Sequence, residues 1–141
     1  INIMKKKISK TIKAENASWT FDKDVWKNFD EHINSSIPLY LLCHKLGLEI
    51  SDFFLEEKSK IIDLGCSTGT FINKLNTRHN KKKLQIIGYD AVKKMTTAAK
   101  RNNKNNKNIK ILNKDIVKYK LPNKIDLITS FFTNGFVSRF L

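Results

Sequence analysis

Lys60-Ile61-Ile62-Asp63-Leu64-Gly65-Cys66-Ser67-Thr68-Gly69 is the stretch from which the fold follows. Its first five residues form the short apolar run that a strand buried on both faces requires, and they lead straight into a glycine-rich turn. A helix is expected next, through Phe71, Ile72 and Leu75. Leu84–Asp90 reads as a second strand, Val92 to about Asn102 as a second helix with Met95, Ala98 and Ala99 on its buried side, and Asn102–Asn108 as a polar loop. Ile109–Leu112 supplies a third strand and Lys124–Ser130 a fourth. Strands alternating with helices at this spacing specify right-handed βαβ units. The expected fold class is therefore α/β, a doubly wound parallel sheet, here a partial one of about four strands.

Upstream of this unit the pattern is helical. Asp22 suits the cap of a helix in which Val25, Trp26, Phe29 and Ile33 recur at helical spacing, and Ser35-Ser36 followed by Pro38 reads as a stop and a new start. A second helix carries Tyr40, Leu41, Leu42, Leu46, Ile50 and Phe53-Phe54. Residues 1–18 are Lys-rich, with isoleucines too sparse to define a face, and are expected to form a flexible basic arm. Residues 19–57 then make a helical cap and residues 58–141 the sheet, in a single domain overall.

The 141 residues carry 27 Lys plus Arg against 13 Asp plus Glu, a net charge of +14. Such an excess invites a polyanionic partner, with Lys81-Lys82-Lys83 and the stretch Lys100 to Lys110 as the candidate RNA surface. The cations are lysines apart from Arg78, Arg101 and Arg139, although the planar fork of Arg suits phosphates and base edges better. Abundant Asn and Ile beside so much Lys is also what A/T-rich codons produce without selection for binding. No apolar run approaches the roughly 20 residues needed to span a bilayer, and no secretory signal opens the chain. Cys43 and Cys66 lack metal-ligand spacing and read as reduced thiols. The expectation is a cytoplasmic protein without membrane or metal.

The glycine turn lies where a doubly wound sheet binds ligands, beyond the carboxyl ends of its strands. Free N–H groups at the start of the following helix would favour an anion such as an amino-acid carboxylate. One reading is purely structural, the glycines permitting a tight turn. A dinucleotide site wants G-x-G-x-x-G, but Ser67 and Thr70 stand at the second and third glycines. Gly65–Gly69 also spells the G-x-S-x-G elbow of hydrolases, yet among His32, His44 and His79 none follows in the required chain order. The third candidate for this turn is S-adenosylmethionine. Its ribose needs an acceptor pair at the end of the second strand, where Asp90 stands, and its adenine an acceptor past the third, where Asp115 stands beside Ile116.

Asp63-Leu64-Gly65-Cys66-Ser67, Gly88-Tyr89-Asp90 and Lys114-Asp115-Ile116 together resemble the motifs of class I S-adenosylmethionine-dependent methyltransferases, a Rossmann-like family. Trp19-Thr20-Phe21-Asp22, Val25, Phe29-Asp30 and Ser36-Ile37-Pro38-Leu39-Tyr40 narrow the resemblance to the carboxy-S-adenosylmethionine synthases and related methyltransferases of tRNA uridine modification. The resemblance covers about residues 19 to 133. It implies a cofactor, S-adenosylmethionine or its carboxylated form, bound by Tyr40 from the cap and by Gly65, Cys66, Ser67 and Gly69 at the methionine end. Asp90 and Ala91 would take the ribose, and Asp115 and Ile116 the adenine. Where the synthases have an Asn after the fourth strand, this chain has Phe131, which favours a methyl-transferring relative over a synthase.

Methyl transfer from a sulfonium is an in-line displacement that needs no protein nucleophile, so no residue is singled out as catalytic and the acceptor is unassigned, an RNA-linked one included. Cys43-His44 reads as a buried Cys beside a surface His rather than a reactive pair, since neighbours on a helix point about 100° apart. The family's sheet has seven strands, so the fourth would be an open edge, Ile125–Phe132, inviting a homodimer, and the chain reads as C-terminally truncated. A tail that folds Phe136 and Phe140 back onto that edge is the alternative, as is a non-catalytic or nucleic-acid-binding module on the same fold.

Overall fold

The computed structural model describes residues 12–15, 18–21 and 29–133. Strands β1 (Ile12–Glu15) and β2 (Ser18–Phe21) pair antiparallel, Ile12 opposite Phe21 and Glu15 opposite Ser18. The structure thus differs from the expected arm: a boundary at residue 18 would cut through this ladder. Trp19, Thr20 and Phe21 are aromatic and β-branched types that favour extended pairing. Asp22, Val25 and Trp26 lie outside the described residues, as do Phe136 and Phe140.

Helix α1 (Phe29–Ser36) ends two residues before Pro38, and α2 (Tyr40–Phe54) begins after Leu39 turns the chain at φ 62°. Then follow β3 (Lys60–Leu64), α3 (Thr70–Arg78), β4 (Gln85–Asp90), α4 (Lys93–Asn102), β5 (Ile109–Asn113) and β6 (Leu127–Thr129). The last strand is shorter than its apolar run because Lys124 at φ 59° and Phe132 at φ 58° take the chain out of extended conformation on either side.

Strands β3 to β6 form one parallel sheet in the order β5-β4-β3-β6. The chain moves outward from β3 to β5 and then returns to the far side of β3, so the order reverses between β3 and β6. Carboxyl ends diverge at such a reversal and leave a crevice. Helices α3 and α4 cover one face, and α2 packs on α3 and β6 beside them. The layer between is filled by Ile61, Phe71, Ile72, Leu75, Leu84, Ile86 and Ala99, all buried. On the other face Tyr119, in the helix-free connection from β5 to β6, lays its ring 5.3 Å from that of Tyr89.

Helix α2 turns an unexpected side inward. Leu41, Leu42, Leu46, Ile50, Phe53 and Phe54 are exposed, whereas His44 and Ser51 are buried. The Ser51 hydroxyl donates to the Leu48 carbonyl at 2.6 Å and lies 2.8 Å from His79 Nε2, which ties α2 to the end of α3. Both thiols, Cys43 and Cys66, are free.

Candidate functional site

A cavity of about 320 Å³ opens at the carboxyl ends of the strands, between the cap and the sheet. Its floor is the glycine turn. Gly65, Ser67 and Gly69 all take positive φ, at 73°, 50° and 76°, and the turn is held to β4 by Gly65 N and Cys66 N, which donate to the Tyr89 carbonyl at 2.8 and 2.9 Å. A Cβ on Gly65 would run into the Thr133 side chain, so this glycine makes room for the segment after β6. A Cβ on Gly69 would meet Asn103 Nδ2 at 2.6 Å and Ala99 Cβ at 3.1 Å, so Gly69 lets α3 and α4 approach each other.

Asp90 closes β4 with both carboxylate oxygens engaged: Oδ2 accepts from Ser67 N at 2.9 Å and Oδ1 from Val92 N at 2.8 Å. Burial nevertheless pushes its carboxyl up, against the pull of those two N–H groups. Each oxygen keeps a lone pair for a hydroxyl donor. The backbone beyond is fastened by Asn113, whose Nδ2 donates to the carbonyls of Asp90 and Ala91, both at 2.9 Å. Past β5, Asp115 accepts from Val117 N at 3.0 Å, and Ile116 lies half-buried beside it.

A second acid stands deeper. Asp63 is in register with Thr129 of β6, whose hydroxyl donates to its Oδ1 at 2.7 Å. Burial pushes the Asp63 carboxyl up to about 7, the Thr129 hydrogen bond opposing and the nearby Asp90 adding to the rise. A cavity wall with a carboxyl so close to neutrality is suited to a cationic group, which would favour its ionised form.

The cap supplies the opposite wall. Asp30 accepts from the hydroxyls of Thr68 and Thr70, both at 3.0 Å, and so fastens α1 to the glycine turn. Tyr40 also faces the cavity, its phenol held neutral by burial and by Asp30 and Asp63. His44, expected on the surface, is 3% exposed, and Cys43 is the less buried of the pair. The reason is the aromatic cluster into which the imidazole fits, with ring centres 4.2 Å from Tyr40, 4.8 Å from Phe131 and 5.2 Å from Phe71. Burial, with Lys74 adding, lowers His44 to about 4, so it is neutral here, with Nδ1 buried and without a hydrogen-bond partner among the described residues. Phe131 itself lies against Phe71, ring centres 4.5 Å apart.

Ser67 has the positive φ that a nucleophile elbow needs, but its hydroxyl points to Met95 Sδ at 3.7 Å, and among the described residues no imidazole hydrogen-bonds to it. Of the residues named from the sequence, Tyr40, Gly65, Cys66, Ser67, Asp90, Ala91, Asp115 and Ile116 line this one cavity, and Gly69 does not. Asp63, Asp30, His44 and Asn113 were not assigned roles. Asp63 carried a signal, an acid inside an otherwise apolar strand, whereas the other three depend on contacts that no local pattern announces. Among the described residues no cluster of three or more His, Cys, Asp or Glu is placed to hold a metal ion, and no helix is long and apolar enough to cross a membrane.

An open parallel sheet with a glycine turn at its reversal and helices linking β3, β4 and β5 defines a Rossmann-like α/β domain. The methyltransferase domain family matches residues 61–139, and the chain belongs to it. Over 121 residues it is 34% identical to a carboxy-S-adenosyl-L-methionine synthase of Staphylococcus epidermidis, covering 85% of this chain and 52% of that one. Over 112 residues it is 33% identical to the Nautilia profundicola protein of the same name, with 79% and 47% covered. The chain thus spans about half the length of these relatives. Among solved structures, a SAM-dependent methyltransferase from Aquifex aeolicus superposes with TM-score 0.59 at 26% identity, covering 81% of this chain and 58% of that one. A Methanococcus maripaludis protein of known structure shares the fold at TM-score 0.67 and 23% identity, with 91% of this chain and 56% of that one covered.

Proposed function

We propose that the cavity binds S-adenosylmethionine and that the protein passes its methyl group to an acceptor. The observation that carries this reading is the convergence of three successive strand ends, Gly65–Ser67, Asp90 and Asp115, on one cavity. The residues present fit the group. Asp90 has a free lone pair on each oxygen for the two ribose hydroxyls, Asp115 and Ile116 suit the adenine, and Asp63 offers a carboxyl that a cation would ionise. Gly65, Cys66 and Ser67 border the methionine end, and Tyr40 closes it from the cap. The bound donor supplies an electrophilic methyl group, and the work of these residues is to orient it and exclude water.

A second reading, a carboxy-S-adenosyl-L-methionine synthase acting in tRNA wobble uridine modification, is supported by the identity to proteins of that name. Against it stands Phe131, an aromatic ring in the cavity wall with no hydrogen bond to give. In either reading the acceptor is open, RNA-linked ones included, and the two free thiols suit the cytoplasm. The outer side of β6 pairs with no strand among the described residues, and we place self-association as a homodimer there.

Mass spectrometry of small molecules that co-purify with the protein tests the proposal. S-adenosylmethionine or its demethylated product is expected. The carboxylated form would favour the second reading. No bound nucleoside, together with no heat on titration with S-adenosylmethionine, would end both.

A further inference from the structure

Because β3 to β6 are parallel, their amino ends share one edge, opposite the cavity. Lysines stand at the start of every strand: Lys58 and Lys60 at β3, Lys81–Lys83 before β4, Lys104 and Lys107 before β5, and Lys124 before β6. Backbone and side-chain bonds knit these turns together. Lys58 N donates to the Lys82 carbonyl at 2.7 Å, Lys82 Nζ to the Leu55 carbonyl at 2.6 Å, and Asn108 Nδ2 to the Leu84 carbonyl at 2.8 Å. Lys58, Lys81, Lys83, Lys104 and Lys107 are exposed, and none forms an ion pair with another described residue. The acids nearby in sequence are Asp52, Glu56, Glu57 and Asp126; Asp52 is paired with Arg78, and Asp126 Oδ2 already accepts from Lys60 N at 2.7 Å.

Helix α2 delivers two aromatic rings to the same end. Phe53 is 86% exposed and Phe54 57%, just before the turn that carries Lys58 and receives Lys82. Neither ring gains much from burial in the fold. A basic edge with open aromatic faces offers two things at once: counterion release from a phosphate backbone and flat apolar surfaces for bases.

We propose that this edge docks single-stranded RNA, its backbone running past Lys58, Lys81, Lys83 and Lys107 and its bases stacking on Phe53 and Phe54. Two arginines, Arg78 and Arg101, stand in the last turns of α3 and α4 at this edge, but the Arg78 fork is taken up by Asp52, so the exposed cations are mostly lysines, which fit backbone contact rather than base reading. Stacking selects single strands, because a duplex hides its base faces. The asparagines between the lysines, Asn80, Asn105, Asn106 and Asn123, suit sugar and phosphate oxygens rather than acyl chains. Tyr40 lies at the cavity and Phe54 at this edge, so the 15 residues of α2 separate the two sites by roughly 20 Å. The docking surface therefore stands independently of the donor reading.

Fluorescence anisotropy with a labelled oligouridylate of about 12 nucleotides tests it on the full chain. Four phosphate contacts on a single strand predict a loss of about 50-fold between roughly 50 and 200 mM salt. Lys81→Glu with Lys83→Glu should weaken binding at least about tenfold and flatten that salt dependence. Phe53→Ala should weaken it about tenfold with the salt dependence unchanged. Both variants should keep the far-ultraviolet circular dichroism and the S-adenosylmethionine affinity of the parent, so a failure of the donor reading would show separately. Oligonucleotide binding that ignores these substitutions would overturn the proposal, as would a duplex bound as tightly as the single strand. Capture by phosphatidylserine vesicles with no capture of oligouridylate would overturn it in favour of a membrane.

Discussion

The two ends of one sheet differ in everything but their strands. At the carboxyl end stand Asp63, Asp90 and Asp115, two of them burdened by burial, around a walled cavity. At the amino end stand lysines in open solvent, with two exposed phenylalanines. Parallel pairing causes the separation: four strands pointing one way collect whatever precedes them on one edge and whatever follows them on the other. Each segment from a lysine into an apolar run and on to an acid is therefore a vector, and the sheet aligns three of them, β3, β4 and β5, while β6 leads from Lys124 to the aromatic pair Phe131-Phe132. Buried charge at one end and solvated charge at the other should respond differently to substitution, pH and salt.

The sharpest test of that division is Asp90→Ala. Two hydroxyl hydrogen bonds to a carboxylate are lost, which should weaken S-adenosylmethionine by about 2 to 4 kcal/mol, or about 30- to 1,000-fold, by titration calorimetry. Oligouridylate affinity should not move. Next in size is Asp63→Asn. The native carboxyl titrates near 7, above the ordinary carboxylate range, so its burial favours the folded state most below about pH 4 and that contribution is lost as pH rises through about 7. An amide can still accept from Thr129 Oγ1, so the variant should melt about 5 to 10 °C higher than the parent at pH 8 and about equally at about pH 4, the gap opening between those limits.

The same group makes a pH prediction for the native protein. A cationic donor binds the ionised form of Asp63, so affinity should fall below about pH 7, by at most about tenfold per pH unit for one proton. Asp90, raised as well, works in the same direction, while His44, near 4, stays neutral and adds no slope between pH 5 and 8. A flat profile would mean that the cation lies away from Asp63. The smallest effect concerns donor choice: the parent should show no preference for the carboxylated donor, and Phe131→Asn should add about 2- to 10-fold in its favour, the worth of one hydrogen bond, in a competition assay.

Much of this was legible in the sequence, for reasons the residues make plain. The glycine turn and the acids at 90 and 115 sit at strand ends that apolar runs mark sharply, and Gly65, Asp90, Asp115 and Ile116 line the cavity, as do Tyr40, Cys66, Ser67 and Ala91, which only the family resemblance indicated. Helix α2 resisted. Its leucines and phenylalanines mark one side as the core side, yet the structure buries His44 and Ser51 and leaves that side exposed. Periodicity reports which residues share a face, whereas partners elsewhere in the chain decide which face turns inward. Here the partners are Phe71, Phe131 and His79, none of them within 15 positions of the residue each one meets. Likewise Asp30 acquires its place only through Thr68 and Thr70, some forty positions away.

Gly47 sits inside α2, where glycine costs the helix about 1 kcal/mol relative to alanine. A Cβ there would stand 2.6 Å from the Phe131 ring, so the bare backbone at 47 is what admits that ring. The two positions form a lock with one key at a time. A side chain at 47 would press on that ring unless residue 131 were smaller, and a smaller residue at 131 would free position 47 from glycine. The stability of the cap helix and the shape of the cavity wall are thereby coupled.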